Sequence, residues 1–264
     1  MPLSFIDSPF TTRVEYNAWI AAGAPEDLLK PAAATVPVLL RGTATVVMVT
    51  GASGWVGGHV CHELVAKGYT VRAAVRDPAS TSVAFLQHMG CHLVRIPDLL
   101  SDEGWAAALD GCAGLIHVAS PVDLTGNANE AELVRMAVEG SERALRFAAE
   151  AGTVKRVVVT ATMASVCGSQ RNADPDHLWC EADKNDAPGS PYSKSKTEAE
   201  AKVWELATLY KDKYEVSTVH PAVVLGTLLP GQRVTSTMTL LQSILSGKVA
   251  TYTYTCMLIY KCIT

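Results

Sequence analysis

The sequence predicts an α/β protein built on a doubly wound parallel sheet, and three observations predict it. From Thr45 onward, short β-branched runs alternate with longer amphipathic stretches, as in successive βαβ units. The short runs are nearly uniformly apolar, as strands covered by helices on both faces require. A glycine-rich turn from Gly51 to Gly57 joins the first run to the first amphipathic stretch. Composition agrees: of 264 residues, 48% are hydrophobic and 18% charged, which suits a compact chain with a large core and not a disordered or fibrous one.

The pattern places strands at 45–50, 70–75, 92–96, 114–118, 156–160 and 216–220, with helices near 54–67, 80–89, 103–109, 130–151 and 190–211. In the first helix Val56, Val60 and Leu64 recur every fourth position and predict a buried stripe. Residues 1–43 carry Pro2, Pro9, Pro25, Pro31 and Pro37, which leave room only for short helices such as one around 14–22; this segment reads as an N-terminal extension. The main domain is expected over 44–229. Residues 230–264 read as a short remnant of a further region, ending in a Thr/Tyr alternation at 251–260 whose high β-propensity and low charge would be an aggregation hazard if uncovered.

A formal net charge of −4 and the lack of any basic run give no electrostatic reason to expect nucleic acid as a partner. Nowhere do about 18 apolar residues run uninterrupted, and Asp7 and Glu15 stand where a secretory signal would be basic, so no membrane partner or secretion is expected. The seven cysteines are odd in number, scattered, and form no Cys-x-x-Cys pair. A reducing, cytoplasmic setting is expected. His59, Cys61 and His62, like His88, Cys91 and His92, lie close in sequence, but neither group supplies the four ligands of a structural zinc, and no metal is expected.

Thr50-Gly51-Ala52-Ser53-Gly54-Trp55-Val56-Gly57 follows a predicted strand and opens a predicted helix, the context in which a glycine triplet reads as a dinucleotide fingerprint in a Rossmann-type sheet. One glycine makes the tight turn, one lets the backbone approach a pyrophosphate, and one lets the helix sit close to the strand. The helix N-terminus then offers free N–H groups to phosphate. Gly51, Ser53, Gly54, Trp55, Val56 and Gly57 are therefore cofactor-side candidates, Trp55 being also a packing residue. At the end of the second strand an arginine accommodates the 2′-phosphate of NADP where an acid would bind the ribose of NAD. Arg76 stands there, favouring NADP, and Asp77 follows it, so NAD stays compatible.

Tyr192 and Lys196 lie one turn apart on one face of the helix that follows Pro191. Hydride addition to a carbonyl leaves negative charge on oxygen, and a phenol can protonate it if its pKa, about 10 in isolation, is drawn toward working pH. An ammonium group one turn away would do this. A hydroxyl just past the fifth strand could hold the carbonyl oxygen; Thr160 and Thr162 are available, Thr162 being preferred as catalytic and Thr160 falling on the cofactor side. Catalytic candidates are thus Thr162, Tyr192 and Lys196.

Together these residues resemble the extended short-chain dehydrogenase/reductase family, within the NAD-dependent epimerase/dehydratase superfamily, and in it the dihydroflavonol-4-reductase and cinnamoyl-CoA reductase branch. Further carriers are Asp98-Leu99, His117-Val118-Ala119-Ser120-Pro121 and His220-Pro221-Ala222-Val223-Val224-Leu225-Gly226. The resemblance covers roughly residues 43–230. It implies that Asp98 and Leu99 contact adenine, that Val118, Ala119 and Ser120 pass beside the cofactor, that Pro221 to Val224 line its nicotinamide end, and that Thr162, Tyr192 and Lys196 form the catalytic group. Two departures stand out: Thr160-Ala161-Thr162 replaces Thr-Ser-Ser, and Arg143 stands where the family has an asparagine on the helix before the fifth strand. Family members continue with a substrate domain, so the chain reads as C-terminally truncated. The activity implied is NADP(H)-dependent reduction of a small-molecule ketone or aldehyde to an alcohol. The alternatives are a catalytically weak NADP-binding remnant and a nucleotide-sugar epimerase or dehydratase.

Overall fold

Six parallel strands, β1 (Val46–Thr50), β2 (Thr70–Val75), β3 (His92–Arg95), β4 (Gly114–His117), β5 (Arg156–Thr160) and β6 (Glu215–Val219), form one sheet in the order β3-β2-β1-β4-β5-β6. The computed structural model describes residues 45–121, 129–167, 179, 183–222, 224, 226–232, 242 and 246. Helices α1 (Trp55–Ala66), α2 (Ala84–His88), α3 (Trp105–Leu109), α4 (Glu130–Ala151), α5 (Met163–Val166) and α6 (Pro191–Leu209) connect the strands. The doubly wound parallel sheet expected from the sequence is the observed fold. The 1–43 extension with its 14–22 helix, the 251–260 alternation, and nearly all of 230–264 lie outside the described residues.

Successive strand residues point to opposite faces, and each face meets its own helices. Met48, Leu115, Val157 and Val159 pack with Trp105 and Leu109 of α3, Leu145 of α4 and Val203 and Leu206 of α6. On the other face Val49, Val71, Ala73 and Val75 pack with Cys61 of α1 and Phe85 and Leu86 of α2. The long helices have clear local causes. Asn129 caps α4 by accepting from Glu132 N at 3.1 Å, Glu130 and Glu132 sit favourably at the positive end of its dipole, and Gly152 ends it with φ 69°. Ser190 caps α6 by accepting from Ser193 N at 3.1 Å, and Pro191 takes the first helical position, where its missing N–H costs nothing.

Three expectations are corrected and one element is new. The predicted 80–89 helix divides into a 3₁₀ turn, Thr81–Val83, and the short α2. The Val56, Val60 and Leu64 stripe is only half-buried, Val60 and Leu64 packing at the edge of the second core face, while α1 buries Trp55, Gly57, Gly58 and Cys61. β3 and β6, the sheet's two edges, contain no fully buried residue: Leu93 and Val94 of β3 are half-buried against the two core faces, and β6 alternates exposed and half-buried residues. Helix α5 has no counterpart in the sequence reading, being too short to show a period.

Leu145 is fully buried between α4 and the sheet, whereas Leu209 at the end of α6 is 66% exposed. Leu145→Ala should lower unfolding free energy by about 2–5 kcal/mol. Leu209→Ala should stay within about 0.5 kcal/mol of wild type, both read from urea denaturation midpoints.

Candidate active site

The strand order reverses between β1 and β4, so their carboxyl ends diverge and leave the crevice in which open α/β sheets receive ligands. Thr50 and His117 end these strands side by side, with Thr50 Oγ1 2.9 Å from His117 Nδ1. The same Oγ1 accepts from Ala119 N at 3.1 Å, pulling the chain after β4 against the turn after β1. Gly51 makes that turn with φ 66°; a β-carbon there would lie 2.8 Å from Ala119 N. A β-carbon at Gly57 would lie 2.1 Å from the Gly51 carbonyl oxygen, so α1 reaches the strand this closely only with glycine. Gly54 N donates to Gly51 O at 3.0 Å, and Gly54 is the extended N-cap residue of α1. By helix geometry the N–H groups of Trp55, Val56 and Gly57 have no partner within α1, which makes this end a natural seat for an anion.

Past the neighbouring strand end the structure brings Thr162, Tyr192 and Lys196 together. Thr162 caps α5, its Oγ1 accepting from Ala164 N at 3.2 Å and donating to Pro221 O at 3.5 Å, and its hydroxyl is near enough to Tyr192 to act on the phenol's pKa. Lys196 Nζ lies 5.6 Å from the centre of the Tyr192 ring. Burial pushes the Tyr192 phenol above its ordinary value, a rise that the Thr162 hydroxyl partly offsets. This corrects the expectation that Lys196 draws the phenol down. Lys196 is itself buried, which lowers its pKa to about 8, so it is still mostly charged at neutral pH and loses that charge as pH rises through 8.

A small polar cavity lies behind these groups, lined by His117, Ser120, Ser141, Thr160, Lys196 and Glu200 among others. Burial first, and the Lys196 charge second, bring His117 down to about 4, so its imidazole is neutral at ordinary pH. Sequence reasoning missed several residues here. Asn185 is buried, donating from Nδ2 to Ala164 O and Ser193 Oγ, each at 2.8 Å, which joins the start of α6 to α5. Glu200, two turns beyond Tyr192, lies 2.6 Å from His220 Nε2 through Oε1 and 2.5 Å from Ser165 Oγ through Oε2. Burial alone would raise its carboxyl pKa, but hydrogen bonds from His220 and Ser165 hold it below the ordinary value. Lone polar residues of this kind carry no spacing signal. The one available hint was that Tyr192, Lys196 and Glu200 recur every fourth position.

The other predicted residues are spread around the crevice. Val118, Ala119 and Ser120 are half-buried beside Gly51, and Thr160 lines the polar cavity. Ser53 is exposed and Val56 half-buried, while Trp55 is buried and donates from Nε1 to Thr227 O at 3.1 Å. Arg76 is exposed at the end of β2. Asp77 is turned into the following turn, its Oδ1 accepting from Ala79 N at 2.9 Å. Asp98 accepts similarly from Leu100 N at 2.9 Å, and Leu99 packs on α4 where Gly140 has no β-carbon. Pro221 O accepts from Met163 N at 3.1 Å, which sets it beside Thr162; Val224 is half-buried, and Val223 lies outside the described residues. Arg143 turns away from the site to pair with Asp102 and Glu139. Among the described residues no group of three or more His, Cys, Asp or Glu is arranged to hold a metal.

A doubly wound sheet with a glycine turn at its switch point and a Thr, Tyr, Lys group at the adjoining strand end defines a Rossmann-type α/β protein. Residues 47–257 match the NAD dependent epimerase/dehydratase family, and the chain belongs to it. The dihydroflavonol 4-reductase of Hordeum vulgare is 35% identical over 217 residues, which cover 78% of this chain and 60% of that protein. Cinnamoyl-CoA reductase 1 of Oryza sativa subsp. japonica is 34% identical over 198 residues, covering 72% of this chain and 56% of that one. The crystal structure of yeast methylglyoxal/isovaleraldehyde reductase complexed with NADPH aligns with a TM-score of 0.63 at 25% identity, over 70% of this chain and 60% of that one. The resemblance read from the motifs therefore holds, and the chain spans about 60% of the length of the curated relatives it matches.

Acid should destabilise the protein through His117. Its folded pKa of about 4 lies below the ordinary 6.5, so the unfolded chain binds the proton more tightly. Stability is then fully present above pH 6.5 and is lost as pH falls toward 4, by on the order of 3 kcal/mol from this group. Urea denaturation at pH 7 and pH 4.5 should show a smaller acid loss in His117→Asn than in wild type; equal losses would remove His117 as the cause.

Proposed function

We propose that this chain is an NADP(H)-dependent oxidoreductase that reduces a small-molecule ketone or aldehyde to an alcohol, with dihydroflavonol-reductase-like chemistry. The observation that carries this reading is the grouping of Thr162, Tyr192 and Lys196 beside the switch-point crevice. The cofactor side fits such a group: Gly51 and Gly57 close a turn that any β-carbon would block, and the first N–H groups of α1 are left for a pyrophosphate. Arg76, exposed at the end of β2, supports NADP over NAD, as does the engagement of Asp77 in its own turn. Gly51, Ser53, Gly54, Val56 and Gly57 are then the phosphate side, with Trp55 supporting the loop from behind. Asp98 and Leu99 belong to the adenine side, Val118 to Ser120 and Thr160 to the middle, and Pro221 and Val224 to the nicotinamide end. Residues 44–229 serve as the nucleotide-binding domain, and the expected setting is cytoplasmic. Among the described residues no helix is long and apolar enough to cross a membrane.

NADPH, held along Gly51–Gly57 with Arg76 at its 2′-phosphate, would supply a hydride to the carbonyl carbon. The protein's part is to manage the oxygen. Thr162 donates its hydroxyl to the carbonyl oxygen and holds it against Tyr192, whose raised pKa keeps the phenol protonated and ready to give its proton as negative charge develops. Lys196 stabilises the phenolate that this leaves. With a pKa of about 8 it already carries its charge at neutral pH, and an anion formed beside it holds that charge more firmly.

Mixing the protein with NADPH and a panel of aldehydes, ketones and dihydroflavonols, and following NADPH absorbance, tests the reading; no consumption with any of them counts against it. Tyr192→Phe should lower kcat by about 10²–10⁴-fold while leaving NADPH affinity within about threefold. Arg76→Asp should weaken NADPH binding at least about tenfold and spare NADH, as the loss of a charge-assisted phosphate contact requires.

A further inference from the structure

Three parts of the site come from different places in the chain: Thr162 from the turn after β5, Tyr192 and Lys196 from α6, and Pro221 from the chain leaving β6. One side chain touches all three supports. Glu200 stands two turns beyond Tyr192 on α6, on the face that carries Lys196. Through Oε1 it lies 2.6 Å from Nε2 of His220, the residue before Pro221, and through Oε2 it lies 2.5 Å from Ser165 Oγ. Ser165 Oγ is in turn 2.7 Å from the carbonyl oxygen of Thr162. Trp204 Nε1 donates to Oε1 from the next turn of α6 at 3.4 Å. The Glu200 and His220 side chains are only 15% and 12% exposed. The turns after β5 and β6 also meet directly, Met163 N donating to Pro221 O at 3.1 Å and Ala161 N to Val219 O at 2.8 Å.

We propose that Glu200 is a positioning residue, a brace that sets the gap between Thr162 and Pro221 and holds both at a fixed distance from Tyr192 and Lys196. A carboxylate suits this task, because its two oxygens accept from opposite directions and its partners are charge-assisted donors. Water cannot readily replace a contact buried this deeply. The effect on turnover rests on the reductase reading above; the brace itself does not, since it is a statement about the backbone at Met163 and Pro221. Glu200 touches neither the oxygen being protonated nor the glycine turn, so its removal should change the chemical step and spare nucleotide affinity.

The test pairs Glu200→Ala with Glu200→Gln. In the amide variant the carbonyl oxygen can still accept from His220, and the N–H can donate to Ser165 Oγ, whose own proton then goes wholly to Thr162 O. Hydrogen exchange of the Met163 amide should speed up about tenfold in Glu200→Ala, with Val49 in the sheet core unchanged, and return to within about threefold of wild type in Glu200→Gln. With an accepted carbonyl substrate, kcat should fall about 10–100-fold in Glu200→Ala, with the NADPH dissociation constant within about threefold, and Glu200→Gln should recover most of the rate. Unchanged Met163 exchange in Glu200→Ala, or equal damage in the two variants, overturns the brace. Should Glu200→Ala fail to fold, Ser165→Ala removes one arm alone; faster Met163 exchange is again expected, and unchanged exchange is again the overturning result. A wild-type protein that consumes no NADPH with any carbonyl sinks the reductase reading, and the exchange measurement still decides on the brace.

Discussion

Gly51 and Ala119 meet where the chain leaves β1 and where it leaves β4. Thr50 binds both the Ala119 N–H and the ring of His117, so the two strand ends are locked in register by one hydroxyl. The turn can close this tightly only because Gly51 has positive φ and no β-carbon, and α1 can then start beside it only because Gly57 has none either. Everything that follows inherits this geometry. The position of α1 sets the first half of the sheet, and the exit of β4 sets the wall of the polar cavity behind Lys196.

That cavity controls the charges of the site. Burial moves the basic groups toward neutrality, with Lys196 at about 8 and His117 at about 4. It also keeps the Tyr192 phenol protonated. Lys196 keeps most of its charge at neutral pH while His117 and Tyr192 stay neutral, and burial strengthens the pull of that charge on any anion formed beside it. Glu200 is the counterexample that clarifies the rule: it stays ionised because His220 and Ser165 surround it with donors.

The sheet was legible in the sequence because its central strands are apolar runs with no other place to go. β2, β5 and α4 occupy the predicted spans, their ends marked by turn residues and caps. The glycine turn was legible because its spacing marks where the strand must turn into the helix, and Tyr192 and Lys196 stand one turn apart on α6 as their spacing predicts. What failed was information that spacing does not hold. Val56, Val60 and Leu64 look like a fully buried stripe, but they are half-buried, and the buried positions of α1 are Trp55, Gly57, Gly58 and Cys61, two of them glycines that hydrophobic periodicity does not register. Edge position decides the exposure of β6, and edge position is a property of topology, not of composition. Asn185, Ser165 and His117 act singly, each through a partner distant in sequence, and no periodicity announces such a residue. The sign of the Tyr192 shift was misread because one turn of separation suggests a strong charge effect, whereas depth of burial decides it.

The chain beyond β6 returns to the beginning of the fold. Trp55 Nε1 donates to Thr227 O at 3.1 Å, His59 Nε2 lies 3.0 Å from the same oxygen, and Gln232 Nε2 donates to the carbonyls of Gly54 and Trp55 at 3.1 Å. These contacts join residues 168 to 178 positions apart, among the most widely separated in the described chain. Contacts of such range are costly to form before the intervening chain is ordered. The segment at 226–232 therefore adds long-range contacts to a βαβ unit whose other contacts are mostly near in sequence. The start of α1 is thus tied to the chain beyond β6 by a strap that no local pattern in either segment would reveal.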